Sequence, residues 1–205
     1  MSSYSRFHRR HFLKFAGGAA ASSLLMPSAA LAAGAGDGWT KLLDRARQAL
    51  DQHGDVIKHR DRLVLVDFSL PSATPRMMLV DLARGRRQLL RVSHGRGSDP
   101  AHSGWLRSFS NVSGSNASSR GAYITAATYQ GKHGRSQRLV GLEESNNNAE
   151  ARAIVIHGAW YSNDDVAARL GKLGRSEGCF AVSEAQIDPL LDWLGPERLL
   201  YADRV

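Results

Sequence analysis

From Arg62 onward the apolar residues come in short runs, each closed by turn-forming residues, and this rhythm constrains the fold more than any other feature of the chain. "RLVLVDFS" (62–69) is one such run and stops before Pro71. "RMMLVDLARGRRQLLRVSHG" (76–95) reads as a hairpin turning at Ala83-Arg84-Gly85. "AYITAATYQ" (122–130) and "SQRLVGLEE" (136–144) read as a second hairpin across "GKHG", and "ARAIVIHGAW" (151–160) is the most apolar strand. Runs of four to nine residues rich in Val, Ile, Leu and Tyr between Gly, Asn and Pro are strand signals. The predicted fold is mainly β: an antiparallel sandwich or partly closed barrel with a few short helices.

Three segments carry helical spacing instead. "TKLLDRARQALDQH" (40–53) places Leu42, Leu43, Ala46 and Leu50 on one face, with Thr40 to cap it and Gly54 to end it. "NDDVAARLG" is a short helix capped by Asn163 or Asp164. "SEAQIDPLLDWLG" opens with the Ser183/Gln186 capping-box pattern, places Asp188-Pro189 to start a helical turn and stops at Gly195-Pro196. "RLLYAD" is a last strand. Residues 96–121, rich in Gly, Ser and Asn, read as a loop, and so long a loop in a compact domain is usually functional.

The N-terminus has a basic start with Arg9-Arg10, then Phe12-Leu13-Lys14, an Ala/Gly-rich stretch and Ala30-Leu31-Ala32. That is the layout of a secretory signal, and the paired arginines resemble the twin-arginine type. The stretch contains Pro27 and is too weakly apolar for the roughly 20 residues that a membrane span takes. The expected organisation is therefore an export signal over 1–32, a helix and linker over 33–60, and one domain over 61–205. Export predicts a periplasmic protein with no stable membrane span. The formal charge of +8 includes Arg6, Arg9, Arg10 and Lys14, so the mature charge is near +4. No basic run or aromatic platform points to nucleic acid.

Export gives the single cysteine its meaning. Cys179 is unpaired in a chain bound for an oxidising compartment, where thiols normally come in pairs. It is either reactive or buried and inert, and the apolar Phe180-Ala181-Val182 after it favours the inert reading. A reactive cysteine needs a base beside it and backbone N–H groups for the oxyanion it creates. "GRSEGC" suits the second need: Gly178 permits a tight turn, and the N–H groups of Gly178, Cys179 and Glu177 can aim at one oxygen. His157, at the end of "AIVIHG", is the first candidate base, because only a loop and a short helix separate it from Cys179. His94 stands at a similar strand end, and His133 sits in a turn.

A strand ending Ile-His-Gly, about twenty residues, then Ser-x-Gly-Cys resembles the YkuD-type murein L,D-transpeptidase catalytic domains. "FSNVSGSNASSRGAYIT" and "YQGKHGRSQRLVGLEESNNNAEARAIVIHGA" extend the resemblance to most of residues 60–203. It implies that Cys179 attacks a donor stem peptide of peptidoglycan, releases D-Ala as a thioester forms, and passes the acyl group to an amine of an acceptor stem. Water as acceptor would make the reaction an L,D-carboxypeptidation. A non-catalytic wall-binding protein is the other alternative. His157 would be the base, no cofactor or metal is implied, and a covalent adduct with carbapenems is expected. Ser176, Arg175, Gly158, Tyr129, His133 and His94 are candidate groove residues. The family usually carries histidine where this chain has Glu177, and a polar residue then Arg or Asn after the cysteine.

Overall fold

The computed structural model describes residues 29–205. The expected export signal falls almost wholly outside them. The first element is the helix α1 (Ala29–Gln52), longer than its amphipathic part. Eight strands follow: β1 (Arg62–Asp67), β2 (Met77–Asp81), β3 (Arg86–Leu90), β4 (Gly121–Gly131), β5 (Gly134–Gly141), β6 (Val155–Gly158), β7 (Phe180–Val182) and β8 (Leu199–Asp203). Two further helices, α2 (Asp164–Leu170) and α3 (Glu184–Leu194), flank β7. No helix among the described residues is long and apolar enough to cross a membrane.

All eight strands form one sheet in the order β3-β2-β1-β8-β4-β5-β6-β7. Most pairs are antiparallel, but β1–β8 and β6–β7 are parallel. The two ends of the sheet curl toward each other. Past β3 the chain bridges Ser93 to Ala181 in β7, and the Ser93 N–H donates to the Ala181 carbonyl at 2.8 Å. A second bridge joins Gly95 to Ser176. The result is a nearly closed barrel.

Alternation along the strands sorts the core into two layers. Val64, Val66, Tyr123, Ile156, Phe180 and Leu200 point inward and pack with Ile187, Leu190, Leu191 and Leu194 of α3. Leu63, Leu65, Met78 and Leu199 point outward and meet Leu42, Leu43, Ala46 and Leu50, the helical face read from the sequence. Each fully buried aliphatic or aromatic side chain contributes about 1.5–3 kcal/mol.

Three local expectations change. β7 is a strand over three residues to which the sequence reading assigns no element. α3 starts after Ser183, but no side-chain capping bond forms; the Gln186 N–H donates to the Ser183 carbonyl instead, at 3.0 Å. Pro189 lies inside α3 rather than at its start, and Gly195, at φ 64, ends it.

Candidate active site

β6 and β7 run side by side in parallel, with Ile156 opposite Phe180 and His157 opposite Ala181. Cys179 immediately precedes β7 and so lies level with Val155. Ile156 and Phe180 face inward and are fully buried. The residues between them, Val155, His157 and Cys179, therefore face the other way and line one cleft of about 390 Å3. The apolar Phe180-Ala181-Val182 is β7 itself and belongs to the barrel; it does not enclose the thiol.

His157 is almost fully buried, yet it lines this cleft. Its Nδ1 lies 2.9 Å from the Gly158 carbonyl. A carbonyl only accepts, so Nδ1 carries the proton and Nε2 is left with a free lone pair. Burial pushes the imidazole down to about 4; the Gly158 bond opposes this, and His133 and Lys132 add to it. The His133 ring stacks on His157 with centroids 4.2 Å apart and planes 22° from parallel.

The Cys179 thiol donates to the Ala153 carbonyl at 3.5 Å. Burial raises it above its ordinary value and Glu177 adds to that, while the Val155 N–H, Lys132 and Arg152 pull it down. The resting pair is thus a neutral thiol and a neutral imidazole. Ala153, at φ 52, is one of four non-glycine residues in the left-handed region among the described residues, which costs about 1–2 kcal/mol and aims its carbonyl at the thiol.

The turn before the cysteine is built by Ser176. Its hydroxyl donates to the Cys179 carbonyl at 2.7 Å and accepts the Gly178 N–H at 3.2 Å. Its own N–H donates to the His94 carbonyl at 2.9 Å, and its carbonyl accepts the Arg96 N–H at 2.8 Å. The Gly178 N–H is therefore engaged within the turn and not free for an oxyanion, which corrects the expectation for that group. Gly178 itself sits at φ +116, and a Cβ there would lie 2.7 Å from the Ala117 carbonyl and 2.8 Å from Ile154. Gly178→Ala is expected to cost about 1–3 kcal/mol of stability and to displace Cys179. A thermal melt together with the iodoacetamide alkylation rate of Cys179 checks this; a variant with both unchanged contradicts the turn described here.

The cleft gathers most of the other residues singled out in the sequence: Tyr129, His133, Arg175, Ser176 and Glu177. Tyr129 lies under the Arg138 guanidinium, 4.4 Å from ring centroid to Cζ. Arg175 is tied to the carbonyls of Asp99 and Pro100. Glu177 is exposed and ion-paired with Arg96 at 3.0 Å. Gly158 orients His157 through its carbonyl and is not itself part of the lining.

His94 does not join them. The chain continues past it to close the barrel, so this strand-end histidine is 1% exposed. Its Nδ1 accepts from the buried Arg76 at 2.6 Å, and its Nε2–H faces Asp99 at 3.4 Å. Burial, reinforced by Arg76, pushes it down to about 3. It supports the cysteine turn from behind, through the carbonyl that holds Ser176.

Five lining residues went unnoticed in the sequence: Lys132, Arg152, Ala153, Val155 and Tyr161. Tyr161 follows soon after His157, a proximity that offered a signal. Arg152 offered none. It matters because its guanidinium donates to the Ser110 carbonyl at 2.8 Å and to that of Ala117, joining the long loop to the segment that enters β6. Among the described residues no cluster of three or more His, Cys, Asp or Glu is placed to hold a metal ion.

His157 and His94 also set an acid limit on stability. Their folded values of about 4 and about 3 lie below the ordinary 6.5, so the unfolded chain takes up these protons first. Their contribution is complete above pH 6.5 and is lost as pH falls toward 4 for His157 and 3 for His94. Denaturant midpoints measured from pH 7 to 4 are expected to decline, and His94→Asn is expected to flatten that decline.

A family model described as the L,D-transpeptidase catalytic domain covers residues 39–202. Among solved structures, an L,D-transpeptidase from Mycobacterium tuberculosis H37Rv is similar at TM-score 0.46 and 12% identity, covering 70% of this chain and 58% of that one. An LD transpeptidase in complex with imipenem is similar at 0.42 and 11%, covering 70% and 59%. An L,D-transpeptidase from Mycobacterium smegmatis is similar at 0.42 and 13%, covering 70% and 58%. The chain thus spans less than two thirds of the length of these structures. No curated protein matches it in sequence.

Proposed function

The chain belongs to the L,D-transpeptidase catalytic domain family, and we propose that it is an exported peptidoglycan L,D-transpeptidase with Cys179 as nucleophile and His157 as base. The observation that carries this is that His157 on β6 and Cys179, at the entry to the adjacent parallel strand β7, line one cleft.

In the first half-reaction Nε2 of His157 takes the thiol proton as Sγ attacks the carbonyl at the L-centre of the donor's diamino acid. A C–S bond forms. The Cys179 N–H is the backbone donor assigned to the oxyanion in this reading, the Gly178 N–H being held by Ser176. The imidazolium then gives its proton to the leaving amine, the C–N bond breaks, and D-Ala departs. In the second half-reaction an acceptor amine attacks the thioester, His157 removes its proton, and the thiol is restored. Glu177 at the cleft edge has the charge to meet an acceptor ammonium. Lys132, Arg152 and Arg175 have the charge to meet the carboxylates of the donor. A carbapenem, as a strained amide, would acylate the same sulfur.

A neutral resting pair has a pH signature. His157 is competent as a base only when unprotonated, so activity is expected to hold as pH falls below 6.5 and to be lost near 4. A kcat/KM profile with its acid limb at 6.5 or above would contradict the burial of His157. Product analysis tests the reaction itself. Incubation with disaccharide-tetrapeptide, followed by mass spectrometry, should give a cross-linked dimer. Tripeptide alone would assign carboxypeptidation, and no turnover would overturn the proposal.

A further inference from the structure

Beyond the thiol cleft the molecule has a larger groove. A cavity of about 590 Å3 is walled by Arg107, Arg120 and Arg204 with Ser110, Asn111 and Ser145. Arg120, Ser145 and Asp203 also wall an adjoining cavity of about 750 Å3, so the two are continuous.

The charge in the smaller cavity is one-sided. Asp203 is its only carboxylate, and both its oxygens are engaged: one by Arg45 at 2.5 Å, the other by the Arg204 N–H at 2.8 Å. Among the described residues, none of Arg107, Arg120 and Arg204 forms an ion pair with a carboxylate, whereas Arg45, Arg62, Arg91, Arg135 and Arg198 all do. The adjoining cavity brings two further acids, Glu143 and Glu144; the Glu143 carboxylate is already engaged, one oxygen by the Ala122 N–H at 2.9 Å and the other by the Ser145 hydroxyl at 3.3 Å.

The wall is rigid and tied to the thiol cleft. Asn111 donates to the Glu144 carbonyl and to Asn147, both at 2.8 Å. Ser110 lines the arginine groove, and its carbonyl is held at 2.8 Å by Arg152, which lines the thiol cleft. Arg152 therefore links the loop of the groove to the wall of the cleft. Guanidinium forks with adjacent hydroxyl and amide groups match carboxylates.

We propose that Arg107, Arg120 and Arg204 form a second binding site, which holds the carboxylates of a further stem peptide of the polymer while the cleft engages another. This rests on the proposed function for the identity of the polymer. The site would let the enzyme grip an insoluble strand through contacts remote from the thiol.

Co-sedimentation with peptidoglycan sacculi tests it, comparing native sacculi with sacculi whose carboxylates have been amidated by carbodiimide. The full mature chain carrying Cys179→Ala is used, so only binding is read, and the result is independent of whether D-Ala is released. Binding to native sacculi is expected to weaken about tenfold in R107Q/R120Q/R204Q, to weaken similarly on amidated sacculi, and to fall with added salt. The same triple substitution with Cys179 intact should keep its iodoacetamide alkylation rate, showing an undisturbed fold. Equal binding by the triple variant, or equal binding to amidated sacculi, would overturn the proposal. So would capture by phosphatidylglycerol vesicles without capture by sacculi, which would assign the groove to a lipid surface.

Discussion

Cys179→Ala is expected to lower D-Ala release from a tetrapeptide stem by at least about a thousandfold, with little change in fold. The thiol is the only one in the chain, so no neighbour can replace it. It lies in the cleft rather than the core, and its removal leaves no internal cavity. The side chain makes one weak bond, to the Ala153 carbonyl, so the stability cost should be within about 0.5 kcal/mol. Release of D-Ala by quenched assay and a thermal melt measure the two separately. Lost activity with an unchanged melt is the expected pair of results; retained activity removes Cys179 from the mechanism.

His157→Gln is expected to lower the same rate by about 10²–10⁴-fold, the range for loss of a positioned base. Its distinguishing mark is the pH dependence that remains. In the parent protein the imidazole removes the thiol proton, so the rate should be nearly level between pH 6 and 8. In the variant only thiol already ionised can attack, and burial holds that fraction low. The residual rate should therefore climb about tenfold per pH unit through neutrality. A variant with a reduced but level profile would mean that His157 orients the thiol without taking its proton. Glutamine is preferred to alanine here because it fills much of the space beneath His133, whose ring stacks at 4.2 Å.

These effects depend on features that the sequence disclosed unevenly. The strand periodicity disclosed the barrel's strands except β7, because three residues directly after a polar turn carry no alternation to read. The same gap hid the parallel β6–β7 pair; the parallel β1–β8 pair was hidden for another reason. β8 enters between β1 and β4, and nothing in "RLLYAD" says which strand it will meet. α1 was legible where Leu42, Leu43, Ala46 and Leu50 set the spacing, but its extension back to Ala29 was not.

Of the residues that line the candidate cleft, Cys179 stood out in the sequence by its rarity and His157 by closing an apolar run. His94 has the same local signature as His157. What separates them is ring closure: the chain beyond His94 turns inward to bridge Ser93 and Gly95 to the β7 side, while the chain beyond Gly158 leaves the cleft open. Gly178 was correctly marked as a turn residue, but the engagement of its N–H by Ser176 is a tertiary detail two residues away. Arg152 was invisible because its importance comes from the Ser110 and Ala117 carbonyls, far off in sequence.

The most direct test of the account is to trap the acyl-enzyme. Mature protein is mixed with a tetrapeptide stem lacking an acceptor amine, quenched in acid within seconds, and measured by intact-mass spectrometry and peptide mapping. One added tripeptidyl group per chain is expected, labile to hydroxylamine as a thioester and located on the peptide containing Cys179. Release of D-Ala with no covalent intermediate on that peptide would contradict it.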